Sequence, residues 1–221
     1  MQIAVDGPSG AGKSSLAKAI AKRLGIIYVD TGALYRTIGL DMKRAGVDPK
    51  DEEGVVAALD GVSLSLAFCD GVQKIYLCGE DVGDSIRTPE MSLYASAVSA
   101  IGAVRSFLLD TQRKVARESS VVMDGRDIGT VILPDAECKI FLTASPEARA
   151  RRRTEELLAK GMDVKYETVL EEMMMRDRND STRALAPAVP AEDAVFLDNS
   201  DLTAEETIEA ALKIIENSKK R

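Results

Sequence analysis

No histidine occurs anywhere in the 221 residues. That absence excludes Ser-His-Asp and Cys-His catalysis and any zinc site that depends on imidazole. Phosphoryl transfer survives it, because that chemistry rests on positioning, a divalent cation and fixed positive charge. Cysteine is nearly as scarce. Cys69, Cys78 and Cys138 are odd in number, lack metal-type spacing and follow no signal sequence, so a reduced, cytoplasmic chain is expected. No apolar run reaches the roughly 20 residues that a membrane-spanning helix needs, so no membrane partner is expected. Acids outnumber bases 36 to 29, and the net charge of −7 argues against a nucleic-acid partner. Any anion site must then be a local basic pocket.

At 45% apolar, the chain can bury one large core, and no linker, repeat or second fingerprint divides it. A single domain over 1–221 is expected. Short β-branched runs alternate with amphipathic segments, the pattern of a parallel sheet covered by helices. The spacing predicts strands near 2–6, 26–29, 121–124, 138–143 and 194–198. Helices are predicted near 13–24, 32–46, 90–118, 146–160, 165–182 and 203–218. Residues 62–82 break the rhythm. VSLSLAF alternates with period two, CDG turns and VQKIYL returns, which predicts a small antiparallel hairpin inserted at about 58–88.

The stretch GPSGAGKSS at 7–15 stands between the first strand and the first helix. Gly7, Gly12, Lys13 and Ser14 fit the phosphate-loop pattern G-x-x-x-x-G-K-S/T, in which glycines let backbone N–H groups turn inward around an anion. Gly7, Pro8, Ser9, Gly10, Ala11, Gly12, Lys13, Ser14 and Ser15 are therefore the expected ATP-binding residues. Lys13 is expected to reach the β and γ phosphates and Ser14 to hold Mg²⁺, with the helix N-terminus adding its dipole.

Three more clusters carry charge. In DTGALYR, Asp30 ends a strand, Thr31 can cap the next helix, and Arg36 is either solvated or a ligand. In VVMDGRDIGT, Asp124 ends an apolar strand, where an acid can hold the Mg²⁺ hydration shell through water. Arg126 and Asp127 follow at the carboxyl end of the sheet, where open α/β folds bind ligands. In ARARRRTEE, Arg149, Arg152 and Arg153 share a helical face, and in MRDRNDSTR so do Arg176, Asp180 and Arg183. Such runs are commonly surface ion pairs. The arginine run, lacking acids, is also the composition of a lid that closes over phosphates, expected at about 149–165.

DGPSGAGKSS, DTGALYR, DGRDIGT followed by PDA, and RDRNDSTRALAP occur in the order and spacing of the bacterial cytidylate kinases, and the chain resembles that family from Ile3 to about Asp198. The resemblance implies a three-layer P-loop kinase fold: a five-stranded parallel sheet flanked by helices, with an antiparallel β insertion and a helical lid. It implies transfer of the ATP γ-phosphoryl group to CMP or dCMP with Mg²⁺. Arg36, Arg126 and Arg183 would grip the acceptor phosphate, with Thr31 beside them, and Arg176 and Asp180 the ribose hydroxyls. Ser96, Arg105 and Asp127 would read the cytosine edge, whose N4 donor suits a carboxylate and whose N3 and O2 acceptors suit an arginine. Lys13, Arg126, Arg149, Arg152 and Arg153 would stabilise the transferring group. Ser15 and Ala188 depart from the family's usual threonine and leucine, and neither replaces a chemical group assigned here. A kinase for UMP or a shikimate-like acceptor and a nucleotide-dependent switch remain as alternatives, and a monomer is expected.

Overall fold

In the computed structural model, residues 1–69 and 71–219 are described. Asp70, the middle of the expected CDG turn, lies outside them. Five strands form one sheet: β1 (Gln2–Asp6), β2 (Ile27–Asp30), β6 (Val121–Gly125), β7 (Cys138–Thr143) and β8 (Val195–Asp198), in the order β2-β6-β1-β7-β8. β7 runs parallel to both its neighbours, with Ile3 opposite Cys138 and Ile140 opposite Val195. A second sheet joins β3 (Leu64–Cys69), β4 (Val72–Leu77) and β5 (Glu80–Asp81) antiparallel.

The chain divides into two compact units. The first comprises Met1–Gly25 and the chain from Val122 on. Its strands β1 and β6 are buried almost throughout, which is why they read as continuous apolar runs. Helix α1 (Lys13–Leu24) buries Leu16, Ala17, Ile20 and Ala21 and stops at Gly25 in the left-handed region. Helices α6 (Pro146–Ala159) and α7 (Tyr166–Thr182) pack through Ala150, Leu157, Val169 and Met173. Helix α8 (Ala204–Ser218) begins with a reciprocal capping box between Thr203 and Glu206.

The second unit, Ile26–Val121, holds α2 (Thr31–Ala45), α3 (Glu52–Leu59), the small sheet, α4 (Pro89–Val98) and α5 (Gly102–Glu118). One apolar cluster, including Leu34, Ile38, Ile75, Leu77, Met91 and Leu108, ties these elements together.

Three differences from the sequence expectations have physical causes. The helix expected over 90–118 is two helices bent by 103°, because Ile101 is extended, with φ −86° and ψ 122°. No proline marks that break. The N-cap of α2 is Asp30 and not Thr31: the Asp30 carboxylate accepts from Ala33 N–H at 2.9 Å, while Thr31 is already helical and buried. Helix α3, too short and glycine-interrupted to show a period, is held by the Asp51 cap on Gly54 N–H. Among the described residues, no single helix is long and apolar enough to cross a membrane.

Candidate active site

The first unit assembles the phosphate loop. β1 delivers the chain into Gly7, at φ 147°, where a Cβ would stand 2.0 Å from the Leu142 carbonyl oxygen of β7. Only glycine fits that crossing. Gly12 (φ 90°) enters α1 with no side-chain cap, so the first-turn N–H groups keep no competing side chain of their own. The Lys13 ammonium lies folded over the loop, donating to Pro8 O at 2.7 Å. Burial and then the Arg126 guanidinium pull its pKa well below the ordinary lysine value; Arg176 adds to the fall, and Asp124 and Asp6 oppose it. Such a gathering of cations around a buried lysine is relieved when phosphate oxygens enter.

Ser14 donates to Asp124 at 2.7 Å. A hydroxyl and a carboxylate side by side suit Mg²⁺, which keeps several waters and takes one or two protein oxygens beside substrate phosphates. These two residues would hold that ion.

The loop after β6 meets the end of α7 through two ion pairs. Arg126 Nε donates to Asp180 at 2.9 Å, and Arg183 stands 3.7 Å from Asp127. All four side chains are largely buried, so each charge is held in place by its partner. No local pattern marks Asp6 as the residue that holds this loop in place. Its carboxylate accepts from Ile128 and Gly129 N–H, both at 2.8 Å, acting as a remote cap for a π-helical turn over Ile128–Ile132. In that turn Ile132 N–H reaches Asp127 O and Leu133 N–H reaches Ile128 O.

The arginine run is dispersed. Arg149 is buried and donates to Ala144 O, Ser9 O and Asp177. Arg152 grips Asn199 through its side-chain and main-chain oxygens, and Asn199 in turn donates to Ala11 O of the loop. Arg153 pairs with Glu156 at the surface. The run therefore does have acceptors: Ser9 O, Asp177 and Asn199 from elements distant in sequence for Arg149 and Arg152, and Glu156 of the same helix for Arg153. Asp177 and Asn199 were not singled out by sequence; the only signal was their position beside Arg176 and at the end of β8.

In the second unit, Arg36 donates to Asp30 at 2.9 Å, and Gln73 of β4 fastens the end of β2 by accepting from Asp30 N–H at 2.8 Å. Arg105 is buried against the Tyr35 ring, 5.6 Å from its centroid, and donates to Ser99 O. Ser96, half-buried on α4, accepts from Ser99 Oγ through its carbonyl at 2.9 Å.

The family model for cytidylate kinase matches residues 3–217. A cytidylate kinase of Caldanaerobacter subterraneus subsp. tengcongensis is 50% identical over 220 residues, covering 100% of this chain and 96% of its own. One of Caldicellulosiruptor bescii is 47% identical over 214 residues, covering 97% and 95%. A shikimate kinase from Bacteroides thetaiotaomicron has a similar fold, with a TM-score of 0.50 at 13% identity, covering 100% of this chain and 99% of that one. On a match running from Ile3 to residue 217 and on relatives this similar end to end, the chain belongs to the cytidylate kinase family.

Proposed function

We propose that the chain transfers the γ-phosphoryl group of ATP to CMP or dCMP, giving ADP and CDP or dCDP. The observation that carries this reading is the buried Lys13, with the half-buried Arg126 and Arg176 acting on it, behind a glycine loop and beside the Ser14–Asp124 pair. ATP rests on residues 7–15. Mg²⁺, held by Ser14 and through water by Asp124, would offset charge on the β and γ oxygens. Arg36, Arg126 and Arg183 hold the acceptor phosphate with Thr31 beside them, Arg176 and Asp180 take the ribose, and Ser96, Arg105 and Asp127 read the base. The attacking phosphate oxygen is already anionic near neutral pH, so no general base is required.

Residues 149–165 form the lid, which keeps water from the transferring group. Of its arginines, Arg149 is committed to Ser9 and Asp177, and Arg152 to Asn199. Arg153, held only by a surface ion pair, has the freedom to swing onto phosphate. Residues 58–88 are an insertion of the acceptor region within one kinase domain. We place the enzyme in the cytoplasm as a monomer, without nucleic-acid or membrane partners.

The test is ADP release from ATP and Mg²⁺ with CMP, dCMP, UMP, AMP or shikimate, and with no acceptor. Release that depends on CMP and dCMP is expected. Release indifferent to acceptor would make the protein a switch, and preference for another acceptor would move it to a different kinase class.

A further inference from the structure

Ser9 is gripped through both of its main-chain polar groups. Its N–H donates to Asp177 at 3.0 Å, and its carbonyl accepts from Arg149 at 2.8 Å. Arg149 also pairs with Asp177 at 2.5 Å, closing a three-membered circuit of α6, α7 and the phosphate loop. Met173, one turn earlier on α7, reaches the same loop: its methyl lies 2.4 Å from where a Cβ on Gly10 would be.

Asp177 also sits among the acceptor residues. Arg176, Asp180 and Arg183 recur at i, i+4 and i+7 on one face of α7 and its C-cap, while Asp177 is turned about 100° from Arg176. One continuous helix therefore presents one face to Arg126 and Asp127 and the adjacent face to Ser9. Whatever fixes the first face fixes the carboxylate on the second.

We infer that Asp177 is a positioning residue that couples the two nucleotide sites. An acceptor that binds Arg176, Asp180 and Arg183 tightens the hold of α7 and so of Asp177 on Ser9, and the phosphate loop is then better preset for ATP. The coupling rests on the reading of CMP as acceptor, and it is reciprocal, because ATP on the loop must favour CMP by the same factor.

The test measures binding of a non-hydrolysable ATP analogue with Mg²⁺ by calorimetry, with and without saturating CMP. The wild-type protein should bind the analogue at least about 5-fold more tightly with CMP present, the low end of ordinary coupling. Asp177→Ala should bring that ratio to about 1 while each nucleotide alone still binds, since half-buried Ser9 N–H can turn to water. Asp177→Asn should fall between, because its amide oxygen still accepts from Ser9 but carries no charge for Arg149. Arg178→Ala, an exposed change one residue along, should keep the wild-type ratio. A merely structural Asp177 would lower melting temperature and both affinities together and leave the ratio unchanged, which would overturn the inference. A wild-type ratio of 1 in a protein that still phosphorylates CMP would overturn the coupling and spare the activity. Failure to bind CMP at all would remove the acceptor reading, and the coupling with it.

Discussion

Replacing Asp6 by asparagine should alter how stability responds to pH. Burial pushes the Asp6 carboxyl from 3.8 up to about 6; the N–H groups of Gly129 and Ile128 oppose the rise, the Asp127 charge adds to it, and Lys13 opposes it. An acid whose pKa is higher folded than unfolded binds its proton more tightly in the native state, so stability falls as pH climbs between the two values. That interval spans about 2 pH units at about 1.4 kcal/mol each, or about 3 kcal/mol in total. Roughly 1.4 kcal/mol of it is lost between pH 5 and pH 7.5. Asparagine does not titrate, and the remaining groups are common to both proteins. Urea unfolding followed by circular dichroism at the two pH values should therefore show the wild-type protein losing about 1.4 kcal/mol more than Asp6→Asn. Parallel pH dependence, or a wild-type protein that gains on the variant as pH rises, would refute the account of this carboxylate. The loop is expected to suffer meanwhile, because one amide oxygen serves only one of the two N–H groups that Asp6 accepts.

Lys13→Ala should reduce kcat by at least about 10²-fold, the scale of one lost charge-stabilising donor, with the circular dichroism spectrum retained. Turnover near the wild-type level would take the loop lysine out of the chemistry. Asp127→Asn should narrow the preference for CMP over UMP in competing-acceptor assays, since uracil presents O4 where cytosine presents an amino donor; an unchanged ratio would move base reading to another residue. Gly7→Ala should fail to bind ATP even where it folds, because its Cβ meets the Leu142 carbonyl at 2.0 Å. Wild-type ATP affinity in that variant would mean the loop can shift freely, contrary to the close crossing.

The strands and helices that frame the site were legible because their signals are local. β1 and β6 are apolar runs, α1 has helical spacing, and the glycine loop between β1 and α1 has a strict pattern. The bend between α4 and α5 was not legible: the residues at Ser99–Ile101 carry no breaker, and the apolar spacing continues on either side. The two-residue strand β5 is too short to show a period and exists only because β4 offers it partners.

Sequence alone determined the class of chemistry. A chain without histidine, with one strict phosphate loop and arginine clusters in a set order, has phosphoryl transfer as its natural use, since spacing along the chain is enough to specify backbone N–H groups and a lysine at a helix start. Only the tertiary structure decided which charge meets which. It sank Arg149 onto Ser9 and Asp177, left Arg153 at the surface and set Asp6 under a loop more than 120 positions away. Charges of like composition become ligands, struts or solvated ends according to burial and partner, and partners distant in sequence are chosen by packing.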